Sequence, residues 1–193
     1  MTEIKVLIEG YAKEIKGGWK ASSSVVLVRN RKKNMLIDTG CNRKKLIDAL
    51  KKEKIQIEDI DFVILTHNHL DHTLLAGIFE NAKVLTTEEM YKNDKQVEHS
   101  NNVPGTDLKI IQTPGHCNEH CSVVIPVGKE TYVVAGDVFW WIDGEKQFVD
   151  VNQIDDAHAN EVNMKKLIQS RKKLLKIADY IIPGHGKIIR VKR

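Results

Sequence analysis

The chain reads as a layered α/β sandwich, and three observations predict it. Short β-branched and aromatic runs alternate with two segments of helical spacing, in the order strands, helix, strands, helix, strands. No internal repeat, linker or low-complexity stretch interrupts that order, so residues 1–193 are expected to form one domain, as the length allows. Several predicted strands also end in a tight turn carrying a histidine or an aspartate, and loops held by a strand scaffold are where functional groups gather.

The first third is strand-rich. Ile4 to Ile8 is followed by a glycine-rich turn at Gly17-Gly18-Trp19, then by strands Ser23–Val28 and Met35–Ile37 on either side of a polar turn. Asp38-Thr39-Gly40 ends the third strand. Arg43 to Leu50 then has helical spacing of Leu46, Ile47 and Leu50. Asp38 either caps its turn or orients a neighbouring ligand by hydrogen bonding.

Phe62-Val63-Ile64-Leu65 reads as a short buried strand, and Thr66-His67-Asn68-His69-Leu70-Asp71-His72 follows it directly. On an extended chain His67 and His69 face the same way and can share one ion. Asp71 and His72 fall at the turn into Thr73–Gly77, a predicted helix start, and project differently, which suits a second ion. Neutral imidazole and carboxylate are ligands for zinc, iron or manganese. A single histidine at a strand end is usually an ordinary hydrogen-bonded residue; four ligand-type side chains this close are not, because crowding unpaired polar groups together is costly.

Beyond this loop, Lys83–Thr86 is a predicted strand, Thr87–Tyr91 a short helix and Asn93–Gly105 a surface loop whose His99 faces solvent. Leu108–Gln112 is the next strand and ends in Thr113-Pro114-Gly115-His116. Ser122–Val127 and Thr131–Ala135 form a hairpin ending in Gly136-Asp137. Phe139-Trp140-Trp141 follows and is expected to line or cover the site mouth, with core packing or a homodimer contact as the rival readings. A polar stretch runs to Asn160. Glu161–Ala178 turns helical, with Met164, Leu167, Ile168, Leu175 and Ala178 on one face and Lys165, Lys172 and Lys176 on a solvated one. Tyr180 to Gly186 repeats the strand–turn–histidine pattern at His185, and Ile188–Val191 is a closing strand.

Composition restricts function only mildly. The net charge of +4, from 30 basic and 26 acidic residues, allows a nucleic-acid partner without demanding one. Three cysteines, Cys41, Cys117 and Cys121, imply no disulfide framework; Cys117 and Cys121 flank His116 and His120, but inert buried thiols are the simpler reading. The N-terminus lacks a signal pattern and no apolar run is long enough for a bilayer, so no membrane association and a cytoplasmic location are the expectation.

Taken together, Asp38-Thr39-Gly40, Thr66–His72, Thr113–His116, Gly136-Asp137 and Pro183–Gly186 resemble, in order, the motifs of the metallo-β-lactamase superfamily. The resemblance implies a four-layer αββα sandwich with a dinuclear site at one edge. His67, His69 and His116 would hold one metal, Asp71, His72 and His185 the other, and Asp137 would bridge them. Seven ligands are too many for one tetrahedral zinc but suit two ions sharing a carboxylate and a hydroxide. That bridging hydroxide would be the nucleophile, with Asp71 and Asp137 as catalytic groups and Asp71 managing the released proton. Zinc is the expected metal, with iron or manganese as alternatives. His120 resembles the second histidine that several hydrolase branches carry after His116; a hydrogen-bonded bystander is the equal alternative.

Gly136-Asp137-Val138-Phe139, Asp143-Gly144-Glu145, Ser170-Arg171 and Ala178-Asp179 are similar to the metallo-β-lactamase domain-containing protein 1 group, for which ribonuclease action has been proposed. The resemblance therefore leans toward phosphodiester cleavage in RNA. A glyoxalase II-like hydrolase of a small ester, thioester or lactone stands close behind, its pocket rimmed by Trp140 or Trp141. A mononuclear iron persulfide dioxygenase is a third reading, disfavoured by the complete second ligand set.

Overall fold

The computed structural model describes residues 1–157 and 160–191; positions 158 and 159, inside the predicted polar stretch, lie outside the described residues. The chain runs β1 (Glu3–Ile8), β2 (Tyr11–Ile15), β3 (Gly18–Ser22), β4 (Val25–Asn30), β5 (Lys33–Ile37), α1 (Arg43–Lys52), β6 (Phe62–Ile64) and α2 (Leu70–Thr73). It continues with β7 (Lys83–Leu85), β8 (Glu89–Lys92), β9 (Lys95–Glu98), β10 (Lys109–Gln112), β11 (Cys121–Val127) and β12 (Glu130–Trp140). Helix α3 (Met164–Ile177) and strands β13 (Tyr180–His185) and β14 (Ile189–Arg190) complete it.

Two large sheets face each other. One has the order β1-β4-β5-β6-β7-β8-β9, the other β10-β11-β12-β13-β14, and β2-β3 is a separate hairpin. Side-chain alternation builds the layers. Along β4, Val26 and Val28 point between the sheets, where they meet Ile110, Val123, Ile125, Val134 and Ile182 of the second sheet. Val25 and Leu27 point outward and pack under Leu46 and Leu50 of α1. On the far side Val133, Ala135 and Ile181 pack under Leu167 and Leu174 of α3. The result is the αββα order of layers. Asn42 starts α1 by accepting the Lys45 N–H, and Asn163 starts α3 by accepting that of Lys166, each an ordinary cap.

Five sequence expectations need correction. Thr87–Tyr91 is no helix, and Asn93–Gly105 is no plain loop: Glu89–Glu98 folds into the β8-β9 hairpin at the sheet edge, whose outer strand buries nothing. The stretch after His72 is not where a helix begins; a single turn, α2, already starts at Leu70, followed by a 3₁₀ turn at Ala76–Ile78. Strand β12 does not end at Gly136-Asp137 but runs on to Trp140. His99 is half-buried, with Nε2 on the Thr86 carbonyl, rather than facing solvent. Among the described residues no helix is long and apolar enough to cross a membrane.

Candidate metal centre

The predicted ligands come from the segment after β6, the single turn α2, the turn after β10, a bulge inside β12 and the end of β13. After β6 the chain bends through Thr66–Asn68 rather than staying extended, and it still brings the His67 and His69 rings to 4.4 Å from each other. At α2 it becomes helical, which turns Asp71 and His72 toward a second position, as their different projection requires. His116 follows β10, and His185 ends β13. Asp137 is set by a bulge: Gly136 pairs with Pro183 and Trp140 with His185, so residues 137–139 stand opposite Gly184 alone.

Two glycines make that bulge possible. Gly136 has φ +54°, and a Cβ on it would sit 2.6 Å from His120 Nε2. A Cβ on Gly184 would sit 1.7 Å from Asp137 Oδ1, so only hydrogen fits beneath the carboxylate.

The side chains converge as two groups, His67, His69, His116 and Asp137 in one and Asp71, His72 and His185 in the other; within each group one donor atom per residue lies within 4.8 Å of the others. Asp137 lies between them. Its Oδ2 is 3.5 Å from His116 Nε2 and 3.7 Å from His185 Nε2, and its Oδ1 is 3.2 Å from His72 Nε2. Asp71 Oδ2 is 3.2 Å from His185 Nε2.

Each imidazole turns one nitrogen inward and uses the other on a partner that fixes its tautomer. His72 Nδ1 faces Asp38 at 2.8 Å, His67 Nδ1 faces the Thr66 hydroxyl at 3.0 Å, and His185 Nδ1 faces the Tyr11 carbonyl at 3.1 Å. His116 Nδ1 faces Asp155 at 2.7 Å. His69 is reversed: its Nε2 lies 3.3 Å from Glu161 and its Nδ1 lies toward His116. Asp38, at φ +53°, also accepts from the Thr66 N–H and hydroxyl.

Three inward atoms are buried without a well-formed hydrogen bond, His67 Nε2, His72 Nε2 and Asp137 Oδ1, the last two facing each other only as a charge contact at 3.2 Å. Buried polar atoms are nearly always paired. Lone pairs orphaned around one small space, on hard and borderline donors, fit divalent transition metals. The charges are strongly coupled. Burial pushes Asp137 up, but His72 and His185 hold its carboxyl well below the usual range. Burial pushes His72 down, and Asp137 and Asp38 carry it well above the ordinary value instead. Burial, then repulsion from His72, holds His67 well below.

His120 belongs to neither group. Its Nε2 accepts the Asp137 N–H at 3.1 Å, and its Nδ1 faces the Thr113 hydroxyl, which meets Ser122. Burial and the nearby His116 lower it to about 3, so it stays neutral and serves as a backbone prop for the bulge. The thiols stand aside: burial pushes both the half-buried Cys117 and the buried Cys121 up to about 12, and neither joins the clustered donors.

A cleft of ≈ 480 Å³ opens over the cluster, lined by His69, Asp71, His116, Asp137 and His185 at its floor. Its walls are Ala12, Trp19, Ala21, Leu70, Trp140 and Ala157. Trp140 is placed as the sequence suggested, its ring 6.3 Å from that of His185. Trp141 is not: strand alternation turns it with Phe139 to the opposite face, where it is 3% exposed under α3. Sequence reasoning missed Asp155, in a polar stretch without periodicity, and Glu161, which it placed at the start of the last helical segment but which lies ahead of α3. It also missed Trp19 as a wall residue, although an aromatic on a glycine turn beside the mouth was visible.

The metallo-β-lactamase superfamily model matches residues 18–95 of the chain. Metallo-β-lactamase domain-containing protein 1 of Xenopus laevis is 32% identical, over 97% of this chain and 81% of that protein. Among solved structures, a protein in a di-iron-bound form superposes with a TM-score of 0.64 at 20% identity, over 88% of this chain and 90% of that one. AidC, a dizinc quorum-quenching lactonase bound to an N-hexanoyl-homoserine product, superposes at 0.61 with 17% identity, over 87% and 74%. Identities this low speak for the fold, while the first relative spans nearly the whole chain. Layer order, clustered donors and that relative agree: the protein belongs to the metallo-β-lactamase superfamily and is one of its metal-dependent hydrolases.

Proposed function

We propose that the protein is a dinuclear hydrolase of small carbonyl substrates, an ester, thioester or lactone carrying an apolar group. The observation that carries the substrate class is the cleft wall: Trp19, Leu70, Trp140 and three alanines surround the cluster, and among the described residues no lysine or arginine lines it. A phosphodiester backbone brings charge that such a wall leaves unmatched. The basic residues Lys165, Lys172 and Lys176 are exposed on α3, outside the cleft. An apolar wall with a few polar groups at its floor is what a compact neutral substrate needs.

His67, His69 and His116 would hold one ion, Asp71, His72 and His185 the other, and Asp137 both. Two such cations, zinc by preference and iron or manganese as alternatives, would lower the pKa of a water shared between them and polarise the carbonyl oxygen. The chain's own residues do the rest. Asp38, Thr66, Tyr11 and Asp155 lock the rings so that the inward nitrogens stay aimed. Asp137 offsets positive charge at the centre. Asp71, the more open carboxylate at 27% side-chain exposure, is placed to take the proton released on attack and pass it to solvent. The apolar wall orients the acyl part over the floor and keeps bulk water away from it.

The test is a panel of ester, thioester and lactone substrates against single-stranded RNA, with zinc-loaded wild type, H116A and D137A. Turnover of an acyl substrate, lost in both variants, is the expected result. RNA cleavage lost in both variants, with no carbonyl turnover, would replace this reading by the ribonuclease one.

A further inference from the structure

A buried arginine and a buried aspartate lie behind the floor of the cleft, and the hydrolytic chemistry above uses neither directly. Arg171 comes from the inner face of α3, where apolar residues are expected, and is 2% exposed. Its Nε donates to the Val138 carbonyl at 2.9 Å, one residue beyond Asp137. Its Nη1 donates to the carbonyls of Val151, at 3.2 Å, and Gln153. The guanidinium thus ties the strand bearing Asp137 to the connection that follows it. Two residues past Gln153 that connection delivers Asp155, 3% exposed, whose Oδ2 meets His116 Nδ1 at 2.7 Å.

A guanidinium is costly to bury and would not be kept for packing alone, since a Met or Leu fills such a space more cheaply. A carboxylate in the same interior is tolerated only where opposite charge faces it. His116 faces one of its oxygens, but the other, Oδ1, is buried with no hydrogen-bond partner. The geometry points to a paired positioning device: Arg171 folds the 151–155 connection inward so that Asp155 fixes the ring of His116 and raises its basicity toward the ion held by His67, His69 and His116. The second group has a different support. His72 rests on Asp38 and His185 on the Tyr11 carbonyl, neither of them on this connection. Loss of Asp155 should therefore weaken one of the two ions and spare the other.

This rests on the two-ion reading, so the experiment separates the two. Metal-free wild type, D155N and R171M are titrated with Zn²⁺ against a chelating indicator, and with Co²⁺ followed by its visible ligand-field bands. Asparagine keeps the volume and an acceptor for Nδ1–H, so the thermal midpoint of the metal-free chain should change little. Wild type should take up two ions. D155N should hold one as wild type does and the other roughly 10–100-fold more weakly, with part of the cobalt spectrum lost at equal metal. R171M should follow in the same direction. A wild type that binds one ion sinks the dinuclear reading, whatever D155N does. Two ions bound by D155N with wild-type affinities and an unchanged cobalt spectrum overturn the positioning role. Wild-type affinities in R171M beside weakened ones in D155N remove Arg171 from the device.

Discussion

Replacing Asp38 by alanine tests whether the donors around His72 are held by one carboxylate. Three hydrogens converge on Asp38: the Thr66 N–H at 2.8 Å, the Thr66 hydroxyl at 2.9 Å and His72 Nδ1 at 2.8 Å. After truncation, His72 Nδ1 can turn to the Thr66 oxygen, already 3.4 Å away, which leaves two donors orphaned. At about 1–3 kcal/mol for each buried orphan, two cost about 2–6 kcal/mol. The backbone adds to this, since alanine at φ +53° pays about 1–2 kcal/mol that aspartate partly avoids by local hydrogen bonding. A loss of about 3–6 kcal/mol follows once incomplete additivity is allowed for, a large share of the roughly 5–15 kcal/mol a domain commands. Urea unfolding of the metal-free chain measures it, and D38G, which relieves the backbone strain, should recover about 1 kcal/mol. Zinc titration supplies the second readout, because a freed His72 ring should weaken the ion shared with Asp71 and His185 by roughly 10–100-fold. A D38A chain within about 1 kcal/mol of wild type, binding both ions unchanged, would refute the reasoning.

Gly184→Ala should displace the Asp137 carboxylate that its Cβ would meet at 1.7 Å, so zinc stoichiometry and turnover should fall together; full occupancy and rate in this variant would show that the bulge can shift without cost. Trp140→Ala should raise KM for substrates with long apolar groups while short ones are spared, measured by steady-state kinetics across a chain-length series. Trp141→Ala should do the reverse, lowering the unfolding free energy measured in urea by about 3–5 kcal/mol through core loss without altering chain-length preference. Glu53 is held below the usual carboxylate range by its hydrogen bond to Lys5 and by the Arg29 charge, so its contribution is present above roughly pH 4.3 and is lost as pH falls through its lowered folded value. Glu53→Gln should therefore have a lower urea midpoint at pH 7, and the gap to wild type should narrow on acidification; a gap that does not change with falling pH would disprove the linkage.

The parts of the fold that bury apolar side chains were legible, because burial leaves a period. Val26 and Val28 alternate with Val25 and Leu27, and Leu46 and Leu50 stand one helical turn apart. The β8-β9 hairpin was not legible: its outer strand is exposed throughout, so nothing in Lys95–Glu98 had to be apolar, and Thr87-Glu88-Glu89 imitates a helix cap. The donors of the centre were readable because each sits beside a short apolar run, with glycine or proline next to His116, Asp137 and His185. Their supports were not. Asp155 and Arg171 are single charged residues whose meaning comes from folding the chain back across 39 and 33 positions to His116 and Val138, and local sequence holds no trace of such a contact. Trp140 and Trp141 differ only by one step of a pleat, and the bulge at Gly136 decides which of them sees the cleft.

The donors are divided between the halves of the sandwich, and this gives bound ions a mechanical part to play. His67, His69, Asp71 and His72 belong to the first sheet's side of the chain, while His116, Asp137 and His185 follow or lie on strands of the second. A cation held by both sets would act as a rivet between the two sheets. His69 and His116 are 47 residues apart, so the ion would join parts of the chain that meet only on folding. The rivet can be set only after the sheets have met, because neither side offers a full set of donors alone. Metal should therefore act on the unfolding rate far more than on the folding rate, and a chelated chain should come apart first between the sheets.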